Sequence, residues 1–358
     1  MFVAVNSFLS PFCGRLRRAV LAVGFMWAGA AVSSVLFAAP ASAASLTVLM
    51  GDDAAASSEF VQQLRADQEP GGKFELVRLT PGGADPQPPA EATDTERAAN
   101  AGVRTRSLRT ASDAPLTMAV GPAAARAAVE RPGQEPLVLA MLSRLEYETL
   151  KASSPALRRG DRRVGVLLRD PAMADQLALI TAVLPQKHRI GVVATPESEP
   201  LVRELQRAAQ GANPPWDLRV EYAPDAKSLA NALRQVVPLS DALMVLPDLI
   251  GDSQAATLSV LRAGASAGLP VFGASEGLVR SGGLAAAVST PSQLAQQARL
   301  LGQKVASAGT GSSSSNSNAP LVEAATPATV RVNATVARGL GLRMPEEREL
   351  TDRLAAPR

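Results

Sequence analysis

The sequence is poor in the residues that most often carry chemistry. It has one cysteine, one histidine and 3% aromatic residues in 358 positions. Cys13 lies near the start, so the rest of the chain has no disulfide, no thiolate nucleophile and no thiolate metal ligand. No G-x-x-x-x-G-K-[ST] motif is present, and Gly339-Leu340-Gly341 follows a helical pattern rather than a strand. We therefore expect no metal site and no cofactor.

Most of the chain also has no excess of basic over acidic residues. The totals are 36 Lys and Arg against 33 Asp and Glu, a formal charge of +3. Residues 1–43 hold three arginines, Arg15, Arg17 and Arg18, and no other charged residue, which leaves 33 basic and 33 acidic side chains in the remainder. A neutral body without a basic block gives no electrostatic reason to expect nucleic-acid binding.

The first 43 residues have the pattern of a secretory signal peptide. The uncharged run Ala19–Ala39 follows the arginines, and Ala41-Ser42-Ala43 supplies the small residues of a cleavage site. A permanent membrane anchor is the alternative, because the run approaches the length of a bilayer span. Its dilution by Gly, Ala and Ser, and Pro40 at its end, favour cleavage after Ala43 and a mature protein in the periplasm.

The remaining 315 residues alternate short apolar runs with amphipathic ones, which is typical of parallel sheets covered by helices on both faces. The fold class is therefore α/β, and the length and a fresh start at Arg189 favour two Rossmann-like lobes. Pro81–Pro115 and Ala308–Pro320 break the pattern as solvated insertions. The predicted strands are Leu46–Met50, Phe74–Leu79, Leu116–Val120, Leu137–Met141, Val164–Leu168, Arg189–Ala194, Leu218–Tyr222, Ala242–Leu246 and Pro270–Phe272. The predicted helices are Ser57–Asp67, Ala123–Glu130, Met173–Val183, Ser198–Ala209, Ala226–Val236, Gln254–Ala267 and Ala334–Leu340.

One motif points to an enzyme. Gly273–Gly277 fits G-x-S-x-G, the nucleophile elbow, and follows a predicted strand. The only candidate base, His188, precedes Ser275 in the chain and lies at the start of a strand, on the edge of the sheet away from ligands. The esterase interpretation therefore lacks its histidine, and a hydrolase would need an unrecognised pair such as Ser275 with Lys304.

The loops that follow the predicted strands are the better candidates for a binding site, since open α/β sheets bind ligands at the carboxyl ends of their strands. These loops are rich in small and polar residues, several of which precede helices and so also have the sequence of helix caps, as for Asp170, Thr195 and Ser275. The candidate ligand-binding residues are Asp52, Gly121, Ser143, Asp170, Thr195, Asp248, Ser275 and Arg280.

Four stretches of the chain resemble a known family. They are Gln176–Val193, Asp241–Asp248, Gly268–Gln297 and Val332–Glu346. In these the sequence is similar to periplasmic substrate-binding proteins of uncharacterised ABC transport systems, the branch that includes tryptophan-binding proteins. The resemblance is good from about Pro136 to the end and weak before it. Where relatives often have aromatic residues after the Phe-Gly, this chain has Ala274, Glu276 and Gly277, which argues against a flat, stacked ligand.

The resemblance implies a type I periplasmic-binding fold with a ligand cleft at the hinge. It implies three crossings between lobes, near Leu168–Pro171, Ala286–Thr290 and Pro327–Val332, and positions Asp248, Ser275 and Arg280 at the cleft. The N-terminal lobe would comprise 44–168 with about 290–326, and the C-terminal lobe 169–289 with about 330–358.

The function implied by the resemblance is capture of a small molecule and its delivery to an inner-membrane ABC permease. We expect a monomer that is not an enzyme and meets the membrane only through the permease. A ligand-sensing protein on the same fold, acting with a membrane receptor or kinase, is the alternative; a cryptic hydrolase using Ser275 is the third.

Overall fold

The computed structural model describes residues 45–51, 54–68, 72–79, 116–160, 162–307, 319–326 and 329–355. The predicted signal peptide, Asp52, the Pro81–Pro115 insertion and most of the Ala308–Pro320 loop lie outside these residues. No helix in the described ranges has the length and apolar character needed to cross a membrane.

Strands and helices alternate along nearly the whole described chain. The first part contains β1 (Leu46–Met50), α1 (Ala55–Ala66), β2 (Phe74–Arg78), β3 (Leu116–Val120), α2 (Pro122–Glu130), β4 (Leu137–Leu142), α3 (Arg144–Ser153), α4 (Pro155–Arg159) and β5 (Val164–Pro171). Next come α5 (Met173–Val183), β6 (Arg189–Ala194), α6 (Glu199–Gly211), β7 (Asp217–Tyr222), α7 (Ala226–Val236), β8 (Ala242–Val245), α8 (Leu249–Asp252), α9 (Gln254–Ala267) and β9 (Val271–Gly273). The last part contains α10 (Glu276–Arg280), β10 (Ala285–Val288), α11 (Pro291–Ser307), β11 (Leu321–Ala325), β12 (Thr329–Val332), α12 (Ala334–Gly339) and α13 (Glu347–Ala355).

The strands form two six-stranded sheets. Sheet 1 has the order β11-β5-β4-β3-β1-β2, and sheet 2 has the order β12-β10-β9-β8-β6-β7. All pairs are parallel except β10 with β12, so the carboxyl ends of most strands in a sheet lie at one edge. The α/β fold class with two helix-flanked sheets, predicted from the sequence, is confirmed.

Each sheet has an apolar layer on both faces. On sheet 1, α1 and α11 cover one face, and α2, α3 and α4 cover the other. On sheet 2, α5, α6, α12 and α13 cover one face, and α7, α9 and α10 cover the other. Burial on both faces explains why the strands are nearly continuous apolar runs, as β4 is, with all six residues buried.

The chain passes from one sheet to the other three times. The connections follow β5, which belongs to sheet 1 and leads into α5, then β10, which leads into α11, and finally β11, which leads to β12. These connections bring the carboxyl edges of the two sheets to the same region of the molecule, where residues of both line one cavity.

The sequence prediction of nine strands was too low, since twelve are present among the described residues. One missed strand is β10, whose sequence Ala-Ala-Ala-Val has three alanines, a residue that strands disfavour. Its alanines are fully buried between β9 and β12, so tertiary packing and not local preference makes it a strand.

Candidate functional site

A cavity of about 330 Å³ lies where the two sheets face each other. Sheet 1 contributes residues from the ends of β4 and β5, and sheet 2 contributes residues that follow β8 and β9. The segment that joins β10 to α11 closes one side. The lining residues are Ala56, Met141, Arg169, Asp170, Val245, Leu246, Pro247, Gly251, Asp252, Gly273, Ala274, Ser275, Leu278, Ser289, Pro291 and Leu294.

Asp170 is the most perturbed polar group of this cavity. Burial raises the pKa of its carboxyl group to about 6, an effect to which the nearby carboxylates of Glu146 and Asp252 add. The Arg169 guanidinium and a hydrogen bond from the Arg144 backbone N–H to Oδ2, at 3.2 Å, only partly oppose the rise in the pKa. A buried carboxylate with incomplete compensation in a cavity is typical of a ligand-binding group.

Arg169, which precedes Asp170 in β5, forms ion pairs with two carboxylates. Its Nη1 lies 3.2 Å from Glu146 Oε2, and its Nε lies 4.0 Å from Asp170 Oδ1. Asp252 is an exposed lining residue whose charge acts on Asp170. The cavity therefore presents one guanidinium and two carboxylates to anything that enters it.

Met141 lines the cavity in a backbone conformation that is rare for a residue with a side chain. Its φ is 62°, in the left-handed region, and the pairing of β4 with β5 shifts register between Ala140 and Leu142. Only 7% of Met141 is exposed. Such strain tends to occur at functional sites, where it directs a side chain that a regular strand would place elsewhere.

Two of the residues singled out from the sequence, Asp170 and Ser275, line this cavity. Ser275 caps α10, with its hydroxyl oxygen accepting from the Leu278 N–H at 3.2 Å, as predicted. Asp170 does not cap α5, whose N-cap is Ala172. It lies inside β5, and its carboxylate accepts from the first residue of α3 instead.

The other described candidates lie away from the cavity lining. Ser143 forms a capping box with Glu146 at the start of α3, and Gly121 is the N-cap of α2 with φ 83°. Thr195 bonds to Ser198 and lines a separate cavity of about 260 Å³. Asp248 is 1% exposed and holds the α8 turn. Arg280 points to solvent, 73% exposed, 3.7 Å from Glu276. Asp52 lies outside the described residues.

Four polar or strained lining residues were not predicted from the sequence: Arg169, Asp252, Ser289 and Met141. Arg169 directly follows the predicted strand Val164–Leu168, so the strand-end rule that selected Asp170 would have found it too. Ser289 follows β10, which was not predicted, so that rule could not find it. No sequence signal marks Met141, because its position depends on the irregular register of β4.

The residues of the hydrolase hypothesis lie apart. His188 stands at the amino edge of sheet 2, with its ring edge-on to Trp216 at 5.7 Å between centroids. Lys304 pairs with Glu323 at 2.8 Å and does not line the cavity that contains Ser275. Within the described ranges no group of three or more His, Cys, Asp or Glu could hold a metal ion.

A polar bridge next to the cavity joins elements packed on the two sheets. The Nε and Nη2 of Arg144 donate to Glu204 Oε2 at 3.1 and 2.8 Å, and the Met173 N–H donates to Glu204 Oε1 at 3.2 Å. Arg144 begins α3 on sheet 1, whereas Glu204 lies in α6 on sheet 2. The bridge therefore fixes α3 against α6 beside the first connection between the sheets.

We expect Glu204→Ala to lower the free energy of unfolding by about 2 kcal/mol, because it leaves a partly buried guanidinium and the Met173 N–H without their acceptor. Urea unfolding of the variant and the wild type measures the difference. Arg203→Gln is the matched control, since the neighbouring exposed Arg203–Glu199 pair should contribute nothing measurable. Equal losses in both variants would contradict a specific role for the bridge.

Residues 111–350 match the family model described as "ABC transporter substrate binding protein". No curated protein matches the sequence significantly. Among solved structures, the ligand-free, open form of CD0873, a substrate-binding protein with adhesive properties from Clostridium difficile, is 15% identical, with a TM-score of 0.55, covering 84% of this chain and 96% of that one. This similarity concerns the fold.

Two further structures are similar at lower TM-scores. A conserved domain protein from Vibrio cholerae is 20% identical, with a TM-score of 0.49, covering 87% of this chain and 98% of that chain. The ABC domain from Streptococcus pneumoniae, solved in complex with L-Trp, is 16% identical, with a TM-score of 0.46, covering 85% and 97%.

Proposed function

We propose that this chain, which belongs to the family of ABC transporter substrate-binding proteins, captures a small solute between two lobes and delivers it to a membrane permease. The observation that carries the proposal is the cavity of about 330 Å³ whose walls come from the carboxyl edges of both sheets. A ligand in this position contacts both halves of the molecule, so its binding energy can favour the closed arrangement of the lobes.

The lobes that we propose have the boundaries expected from the sequence: 44–168 with about 290–326, and 169–289 with about 330–358. In support, β11 and the apolar face of α11 pack on sheet 1, and β12, α12 and α13 pack on sheet 2. The three segments that connect the sheets would then form the hinge.

The cavity favours a small, polar solute. Its volume is at the lower end of the range for ligand pockets, about 300–1,000 Å³. None of its described lining residues is aromatic, so a flat ring would find no stacking partner there. The carboxylates of Asp170 and Asp252 can accept hydrogen bonds from a ligand in the cavity, and the Arg169 guanidinium can donate one.

The cellular setting of the proposal comes from the sequence. The first 43 residues would direct export and be removed after Ala43, which places the mature protein in the periplasm, with access to an inner-membrane permease. We propose that it acts as a monomer and without enzymatic activity, as expected of a family whose members bind substrates for transport.

A thermal-shift screen of the mature protein tests the function. The panel comprises amino acids, nucleosides, ureas and metal chelates. A solute present at one hundred times its Kd adds about 2.7 kcal/mol, which raises the Tm by about 5 °C in a protein of this size. Ala274→Phe, which fills the cavity from a half-exposed position, should abolish the shift.

Ala152→Phe is the matched control, because Ala152 is an exposed alanine of α3 outside the cavity. It should retain the full Tm shift. A solute that stabilises the wild type and Ala274→Phe equally would place binding elsewhere. A folded protein that no member of the panel stabilises would count against transport of a common solute.

A further inference from the structure

A second cavity lies between α7 and α9, on the face of sheet 2 that these helices cover. At about 530 Å³ it is larger than the cavity between the sheets. It shares no lining residue with the cavity between the sheets. The residues that line it are Leu229, Ala230, Leu233, Arg234, Val237, Pro238, Ser259, Arg262 and Ala263.

The walls of this cavity are mostly apolar, and its charged lining residues are all basic. Six of the lining residues are aliphatic or proline, and the two charged ones, Arg234 and Arg262, are both cations. The sequences of α7 and α9 contain no Asp or Glu. Arg234 donates to the amide oxygen of Asn231, and no carboxylate of the described residues pairs with Arg262. The described residues that line this cavity therefore include two guanidinium groups and no carboxylate.

The cavity continues toward the carboxyl edge of sheet 2. A neighbouring cavity of about 260 Å³ shares Leu229 and Ser259 with it and extends to Leu249, which is 63% exposed. Because α7 and α9 each connect parallel strands, they run in the same direction, and both arginines lie toward their C-terminal ends. The result is a largely apolar groove about as long as α7, roughly 16 Å, with the two guanidinium groups in the half nearer the α7 C-terminus and the Asp225 carboxylate at the opposite end.

We propose that this groove, lined by α7 and α9, binds a free single-chain anionic amphiphile, such as a fatty carboxylate. An alkyl chain of roughly ten to twelve carbons matches the length of the groove and would pack against Leu233, Leu229 and Leu249. The anionic head group would lie between Arg234 and Arg262, where charge-assisted hydrogen bonds are available. This site is separate from the solute cavity and does not depend on its function.

Isothermal titration of the mature protein with dodecanoate, below its micelle concentration, tests the proposal. We expect one saturable site in the wild type and roughly tenfold weaker binding in the double variant Arg234→Gln/Arg262→Gln. Ala230→Phe, an exposed α7 position that lines the groove, should block binding by occupying its space. Arg203→Gln and Ala152→Phe, which lie outside the groove, should bind dodecanoate as the wild type does.

Dodecyltrimethylammonium separates charge recognition from apolar adsorption. Binding of this cation as tight as that of dodecanoate would overturn the proposal, as would unchanged dodecanoate binding in both groove variants. Retention of the protein by anionic phospholipid vesicles, without saturable dodecanoate binding, would show a membrane-binding surface instead and would also overturn it. Equal far-ultraviolet circular dichroism and Tm of the variants establish that they are folded.

Discussion

Replacing Asp170 with asparagine is expected to stabilise the ligand-free protein by about 3 kcal/mol at pH 7. In the folded protein burial raises the pKa of this carboxyl group from 3.8 to about 6. A difference of roughly two pH units corresponds to about 3 kcal/mol, which the ionised carboxylate costs the native state at neutral pH. The amide is nearly the same shape, carries no charge and can still accept a hydrogen bond from the Arg144 N–H.

The pH dependence of the stability shows whether ionised Asp170 destabilises the folded protein. Because the folded pKa lies above the unfolded value, the folded state holds more protons between about pH 4 and pH 6. The wild type therefore loses stability as pH rises through that window and reaches a constant level above it. Asparagine does not titrate, so the advantage of the variant should be near zero at pH 4 and complete above pH 6.

Urea unfolding of both proteins at pH 4.5, 5.5 and 7.5 measures this difference. Asp252→Asn is the matched control, because it removes the same charge from an exposed position at the rim of the same cavity. It should change stability little at any of these pH values. If Asp170→Asn were less stable than the wild type at pH 7.5, the interactions of the carboxylate with Arg169 and the Arg144 N–H would more than compensate for burial of its charge.

A stability cost at Asp170 makes physical sense if the carboxylate is needed for binding. For any solute that the Tm screen identifies, Asp170→Asn should weaken binding while it raises the Tm of the ligand-free protein. Natural binding sites commonly trade stability in this way. An unchanged Kd in the variant would separate Asp170 from the ligand and leave its unfavourable burial without a functional reason.

The sequence predicts the architecture well because parallel, doubly covered strands leave a strong local signal. Strand β6 and helices α5, α7 and α9 have the predicted boundaries, since each is a continuous apolar or amphipathic run with a clear start. Some failures are elements that tertiary packing decides. Strand β10, which is mostly alanine, is one such element. Helix α11 is a different case, because Thr290 and Pro291 are typical of a helix N-cap and first residue and the helix was nevertheless not predicted.

The site is less predictable than the fold, and Asp170 and Asp248 show why. Both are aspartates that follow apolar strands and precede a helix, so the sequence gives them the same interpretation. In the structure, burial raises the pKa of both carboxyl groups, but Asp170 lines the cavity, whereas the Asp248 carboxylate is turned into the protein and accepts from Ser198 and Ile250. The direction of a side chain at a strand end depends on the following turn, which residue types alone do not specify.

Asp248→Ala is expected to lower the free energy of unfolding by about 3–5 kcal/mol, and to do so without any ligand. Asp248 Oδ1 accepts from the N–H groups of Ile250 and Gly251, at 2.9 and 3.1 Å, and Oδ2 accepts from the Ser198 hydroxyl at 2.5 Å. Alanine leaves these donors buried and unsatisfied, at about 1–3 kcal/mol each before relaxation. A residue that only contacted ligand would show no such loss.

The same substitution should also impair the solute cavity, because Asp248 fixes the turn that carries Gly251 and Asp252 into its wall. That turn is tight: a Cβ on Gly251 would collide with the carbonyl oxygen of Leu246. Urea unfolding and the Tm screen together distinguish a structural role of Asp248 in the turn from a direct role in binding the solute. Ser198→Ala, which removes one of its partners, should cost about 1 kcal/mol and preserve solute binding. If Asp248→Ala instead kept its stability and lost only solute binding, the carboxylate would have to turn toward the ligand, as the family resemblance implied.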